Sequence, residues 1–250
     1  MRLTQRPERV SIPDVDRGLA RAIGPDQAAL ARRALVVGAI RVPEGEFLPR
    51  ETRDLVIGGL GLLITSGYVG QQLHVGNARS LELVGPGDLI RPFEADAASP
   101  VSFAEARFRA FSNTELAVLD SGFAPRAAHF PGLVGALVER AARRSRYLAV
   151  QSAINGMVGV EKRLTALLWM LAERWGRVSG GEILVPLPLS HMELAQMVAA
   201  RRPSVTSAMS ALQRAGTVTR VKEGWLLRGS PPDSQTPEAT AGKSKGDSEI

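Results

Sequence analysis

The chain has no cysteine, which excludes disulfides, thiolate-held iron-sulfur clusters and cysteine-based redox sensing. Histidine is nearly as scarce, at three in 250 residues. A cupin-like metal centre needs several histidines and carboxylates converging, whereas His74 is the only histidine in the strand-rich region and His129 and His191 fall where helices are approached. No Gly-Lys-Ser phosphate loop, no paired catalytic carboxylates and no serine nucleophile elbow occur either, so an enzyme is not expected. Long apolar runs are also missing. No stretch reaches the roughly 18 consecutive apolar residues of a membrane span, and the opening MRLTQRPERVSIPDVD lacks the apolar core of a signal peptide. A cytoplasmic protein with no membrane partner is the expectation. Aromatic residues make up only 5%, yet 44% hydrophobic and 22% charged residues are ordinary for a globular protein.

Against these absences, the stretch from Leu187 to Leu227 is dense in signals. Ser190 followed by Glu193 forms a capping box, with the serine hydroxyl accepting from an early helical N–H and the glutamate reaching back to the cap. A helix therefore starts near His191, with Met192, Leu194, Ala195, Met197 and Val198 as its apolar positions. Ala199 and Ala200 supply small residues for a close turn. Pro203 is tolerated only in a first helical turn, which dates a second helix to Arg201 or Arg202. Val205, Ala208, Met209 and Leu212 then face inward. Arg201, Arg202, Ser204, Thr206, Ser207 and Ser210 face outward, a surface of short hydroxyls and paired guanidiniums suited to phosphates and base edges. Gly216 stops the helix, Thr217 to Val221 reads as a strand, Glu223-Gly224 as a turn and Trp225 to Leu227 as a returning strand. The order is that of a helix-turn-helix with a wing. From Arg201 to Lys222 there are four arginines, one lysine and no acidic residue, against a formal net charge of +6 for the whole chain. The basic balance is concentrated where a double-stranded DNA partner would lie.

The rest of the chain divides by pattern. Residues 1–34 form an N-terminal extension with one helical candidate over 26–35. Residues 35–130 consist of short apolar runs separated by Gly and Pro, the signature of an antiparallel sandwich or barrel. Residues 131–158 read as one long helix, on which Leu133, Leu137, Ala141, Leu148, Ser152 and Asn155 form an irregular heptad-like seam for a parallel dimer. The arginines at 140, 143, 144 and 146 read as a solvated face or a set of ion-pair partners. Residues 160–228 hold a further helix over 161–175, a linker around Gly180-Gly181, and the helix-turn-helix with its wing. Residues 229–250 lack the apolar content to order and are expected to be a disordered tail. The fold class is α+β.

This order, with Val160-Glu161-Lys162-Arg163-Leu164, Leu187-Pro188-Leu189-Ser190 and Ala200-Arg201-Arg202-Pro203-Ser204-Val205-Thr206, resembles the Crp/Fnr family of bacterial transcription regulators. In the barrel only Gly85-Pro86-Gly87-Asp88 and the strand spacing support it. The resemblance implies a cyclic-nucleotide-binding-like jelly roll, a dimerisation helix and a winged helix-turn-helix. It further implies a homodimer on a palindromic operator with half-sites about 34 Å apart, and RNA polymerase as a candidate partner. It assigns base reading to Arg202 and phosphate contacts to Arg201 and Ser204, and the wing's Arg220 and Lys222 are expected on phosphates as well. Pro203 and Ser207 stand where the catabolite-activator branch has base-reading Glu and Arg, so the operator should differ from that branch's. Cyclic-nucleotide binders in the family use a Gly-Glu pair and an Arg-Ser pair, and the corresponding places here read Arg91-Pro92 and Ala104-Glu105. A carboxylate at the phosphate's place disfavours cAMP; a haem bound through His74 is disfavoured as well, and the effector is unknown. A cAMP-responsive regulator and a ligand-independent architectural DNA binder are the alternatives.

Overall fold

The structure is a computed structural model, and it describes residues 8–47, 55–91 and 104–232. Two antiparallel sheets face each other in the first half. One runs β1 (Glu8–Ser11), β2 (Val36–Val42), β9 (Thr114–Leu119), β4 (Gly61–Ser66), β7 (Leu89–Ile90); the other runs β3 (Gly45–Phe47), β8 (Ala104–Ala110), β5 (Val69–Val75), β6 (Ala78–Val84). Their inward residues, among them Ile40, Leu62, Ile64, Val69, Val84, Phe108, Leu116 and Val118, make one apolar core. Each fully buried Leu, Val or Phe contributes about 2 kcal/mol.

Residues 8–34, expected to be an appended extension, are part of this domain. β1 pairs with β2 from Glu8↔Ala39 to Ser11↔Val36, and α1 (Ile12–Val15), α2 (Arg17–Ile23) and α3 (Ala28–Ala34) follow. Ile12, Leu19, Ile23, Ala31 and Leu35 join a second core with Phe123 of α4 (Phe123–Ala127), Phe130, and Leu133 and Leu137 of α5 (Pro131–Gly156). The short helices are held by this shared burial, because pieces of four to seven residues cannot stand alone.

α5 is the long helix, 26 residues with Pro131 in its first turn. The seam expected on it changes phase. Leu133 and Leu137 are buried in the chain's own core, so they are not available to a partner. The exposed row is Val134, Val138, Ala141, Ser145, Leu148 and Ser152, at regular spacings of four and three residues.

Beyond Gly159, α6 (Val160–Trp175) buries Leu164, Leu167, Leu168 and Leu171. The stretch expected to be a linker is instead a β-hairpin, β10 (Arg177–Ser179) and β11 (Glu182–Val185). β11 pairs with β13 (Gly224–Leu227), which pairs with β12 (Val218–Val221), so the wing is a four-stranded sheet. Gly224 makes that pairing possible: a Cβ there would lie 2.0 Å from the Val185 carbonyl oxygen. The tail expected to be disordered lies, from residue 233 on, outside the described residues.

The second half does not hang free of the first. Leu81 and Leu83, on the outer face of β6, belong to the core that includes Leu167, Leu171, Leu194 and Met197. Gln151 of α5 donates to both the Leu81 carbonyl (3.0 Å) and the Met197 carbonyl (3.1 Å). Gln72 of β5 donates to Gln196 at 3.1 Å.

Candidate nucleic-acid interface

α7 (His191–Met197) begins at the capping box expected from the sequence. Glu193 N–H donates to the Ser190 hydroxyl at 3.3 Å, and Ser190 N–H donates to the Glu193 carboxylate at 2.6 Å. Its Leu194, Ala195 and Met197 are buried. The chain then reverses through Ala199, the one non-glycine residue with positive φ, +48°, among the described residues. Arg163 of α6 fastens the reversal by donating to the carbonyls of Val198 (3.1 Å) and Ala199 (3.3 Å), while its Nε donates to the Met157 carbonyl at 2.7 Å. The sequence alone gives Arg163 no role, because its acceptors in the reversal lie more than thirty positions downstream and only folding brings them near.

α8 (Arg202–Arg214) starts with Arg201 as its cap residue and Pro203 in the first turn. Val205, Ala208, Met209 and Leu212 are buried. Arg201, Arg202, Ser204, Thr206, Ser207 and Ser210 are exposed, so the structure brings these residues onto one outward face. Among the described residues, neither Arg201 nor Arg202 has a carboxylate partner or a hydrogen-bond acceptor. The hydroxyls of Thr206 and Ser210 donate back to the carbonyls of Arg202 (3.1 Å) and Thr206 (2.9 Å). Their remaining capacity is to accept, which suits amino groups of bases rather than phosphates.

Arg220 and Lys222 lie in the wing, on β12 and in the two-residue turn Lys222-Glu223 that joins it to β13. Lys222 is exposed. Arg220 is partly engaged: it donates to the carbonyls of Leu189 (2.8 Å) and Pro188 (3.3 Å), with its guanidinium 4.4 Å from the Trp225 ring centre. It ties the wing to the start of α7 and presents only the rest of its fork outward. His191 completes this corner. Its Nδ1 lies 3.0 Å from the Thr206 hydroxyl, and its ring lies nearly parallel to that of Trp225, centres 6.2 Å apart. Burial, then the charges of Arg220 and Arg202, hold the His191 imidazole below its usual pKa of 6.5.

The arginines of α5 and α6 are used differently. Arg144 grips Glu82 through Nε (2.6 Å) and Nη2 (2.8 Å), and also donates to Gln71 (2.9 Å) and the Leu89 carbonyl (2.8 Å). Burial alone would lower the Arg144 pKa, but the hydrogen bonds and charge of Glu82 raise it above the usual value. Arg140 binds both oxygens of Asp16 at 2.6 and 2.7 Å. Burial pushes the Asp16 carboxyl up, and the hydrogen bonds from Arg140 and the Leu19 N–H more than reverse that, so its pKa is lowered. Arg174 pairs with Asp88 at 2.7 Å and lies over Tyr147 and Trp175.

Glu105 lies on the outer face of β8, opposite His74 and 3.7 Å from Arg107, with its side chain 73% exposed. It alternates with Ala106 and Phe108, which fill the interior, because successive strand residues point to opposite faces. Its carboxylate therefore points away from the interior of the two sheets. Arg91 donates to the Gly59 carbonyl, while Pro92 lies outside the described residues. His74 is opposite Arg79 and Glu105 on the sheet, and no cluster of three or more His, Cys, Asp or Glu able to hold a metal occurs among the described residues. No helix among them is long and apolar enough to cross a membrane.

Residues 162–228 match the family described as the Crp-like helix-turn-helix domain. No curated protein matches the chain. Among solved structures, a cyclic nucleotide-binding domain containing protein from Listeria monocytogenes EGD-e is 14% identical, with 85% of this chain and 96% of that one covered at a TM-score of 0.61. FixK2 from Bradyrhizobium japonicum is 15% identical, with 77% and 92% covered at 0.57. A mutant of CooA from Carboxydothermus hydrogenoformans is 18% identical, with 76% and 83% covered at 0.56. Residues 162–228 therefore carry a Crp-like helix-turn-helix domain, and the chain shares the fold of these solved structures.

Proposed function

We propose that the chain is a cytoplasmic, homodimeric transcription regulator that reads a palindromic DNA operator through α8. The observation that carries this is the outward face of α8, where Arg201 and Arg202 stand exposed beside four hydroxyl side chains while their neighbours on the buried face hold the helix rigid. Arg202 reads a base edge, Arg201 and Ser204 contact phosphate, Thr206 and Ser207 face the groove, and Arg220 and Lys222 bring the wing to the backbone. The exposed row from Val134 to Ser152 supports a dimer through α5, with Ala141, Ser145 and Ser152 small enough for two helices to approach closely. RNA polymerase is the further partner this reading calls for.

The test is selection of bound sequences from random duplex DNA, with and without cAMP. An inverted repeat recovered in both arms supports the reading. Recovery only with cAMP makes the protein cAMP-responsive, and no enrichment in either arm overturns operator reading by the chain alone. Val138→Glu, which places charge on the helix row, should convert dimers to monomers in sedimentation and lose the inverted repeat.

A second reading, a β-domain that is a scaffold without an effector, is favoured by Arg144. The inward polar groups of Glu82 and Gln71 are already satisfied by this side chain from the long helix, as a resident cation would satisfy them. DNA affinity indifferent to every small molecule supplied, cyclic nucleotides included, supports that version.

A further inference from the structure

The corner where α7, α8 and the wing meet contains a titratable group to which the DNA reading has so far given no task. His191 is half-buried, touches Thr206 of the outward α8 face, and senses the charge of Arg202. The contact with Thr206 bears on which ring nitrogen carries the proton. A hydroxyl owns one proton, and that of Thr206 is given to the Arg202 carbonyl. With the proton so placed, the hydroxyl accepts from His191 and the imidazole carries its own proton on Nδ1. In the neutral ring Nε2 is then a bare lone pair, unable to donate to a phosphate and repelled by one.

We infer that His191 is a further DNA contact, one that donates from Nε2 to a backbone phosphate only when protonated, so that binding duplex DNA takes up one proton from solvent at this ring. The inference rests on the DNA-binding reading above. Its charge environment supports it. Arg202 from α8 and Arg220 from β12 face the ring, Thr206 and Trp225 are uncharged, and on its own helix Glu193 is engaged by the Ser190 N–H and lies 4.0 Å from Arg109. Among the described residues no carboxylate balances an imidazolium there, so the free protein favours the neutral ring. A phosphodiester arriving beside Arg202 supplies the missing negative charge. The coupling follows from linkage: a group that binds its proton more tightly in the complex makes the complex tighter as pH falls.

The experiment uses the full chain and a labelled random-sequence duplex at fixed ionic strength, with Kd measured from about pH 5.5 to about pH 8.5 across the imidazole range. Wild-type affinity should weaken as pH rises, by up to about tenfold per pH unit at the steepest point for one linked proton. His191→Gln should be flat and as weak as wild type at high pH, and His191→Arg flat and tight. A pH-independent wild type, or a His191→Gln variant that keeps the slope, overturns the inference. Absence of duplex binding by wild type at every pH overturns the DNA reading itself. Proton NMR of the wild-type imidazoles gives a readout independent of any variant. With three histidines in the chain, His74 and His129 serve as internal controls. The His191 titration should start below 6.5 and move up when duplex is added; an unmoved titration overturns the inference.

Discussion

Arginine does two opposite things in this molecule. Against the sheets of the β-domain, Arg140 and Arg144 of the long helix and Arg174 of α6 are each locked to a carboxylate at 2.6 to 2.7 Å. In the helix-turn-helix, Arg201 and Arg202 stand in solvent with no carboxylate partner among the described residues. The first set contributes to stability and fixes how the long helix lies on the sheets. The second keeps its charge uncompensated for a polyanion. The difference is one of supply: Glu82, Asp88 and Asp16 are placed to meet the first set, whereas Arg201 to Lys222 contains no acidic residue at all.

Breaking the buried set should have the largest effect. Arg144→Met leaves Glu82 buried without its cation and should lower unfolding stability by about 3 to 5 kcal/mol in a denaturant titration, with the double variant Arg144→Met/Glu82→Leu recovering most of it. Equal loss in both would show that the pair itself, not the orphaned charge, carries the energy. Asp16→Asn should cost about 2 to 3 kcal/mol at neutral pH, since charge-assisted hydrogen bonds from Arg140 and Leu19 are weakened. The sign follows from the lowered Asp16 pKa. The carboxylate's contribution is complete above its unfolded value near 3.8 and is lost as pH falls through the lower, folded value. Thermal melts of the two proteins should therefore converge in acid.

The exposed set should leave stability untouched. Arg202→Ala should melt like wild type yet lose about 1 to 3 kcal/mol of operator affinity, with preference relaxed at one base pair per half-site; unchanged preference in a repeated selection would move base reading elsewhere. Ala199→Gly sharpens the same contrast at the smallest scale. It removes the side chain from a left-handed backbone position and should raise stability by up to about 1 kcal/mol, read as a higher Tm, without changing DNA affinity.

What the sequence revealed tracks how local each signal is. The capping box, Pro203 and the wing strands are written within a few residues of where they act, and α7, α8, β12 and β13 fall where the pattern puts them. In the sequence the β10–β11 hairpin reads as a linker because its partner, β13, lies some forty positions downstream, and Gly180-Gly181 alone is compatible with either. α5 is apolar on two adjacent stripes, 133/137 and 134/138, so periodicity cannot say which faces the chain's own core. The outward face of Glu105 is hidden for a similar reason, since a one-residue change of face is invisible without strand register. His191 had no flag in the sequence; it acquires a task only when Thr206, fifteen residues on, comes within 3.0 Å.

The short strand β1 has a consequence for how the molecule keeps to itself. It is the outermost strand of its sheet, four residues long, and it covers the hydrogen-bonding edge of β2. A longer and more apolar β2 left bare would be a template for strand addition by neighbouring molecules. This strand therefore acts as a seal, and deleting it would be expected to produce self-association before it produced unfolding.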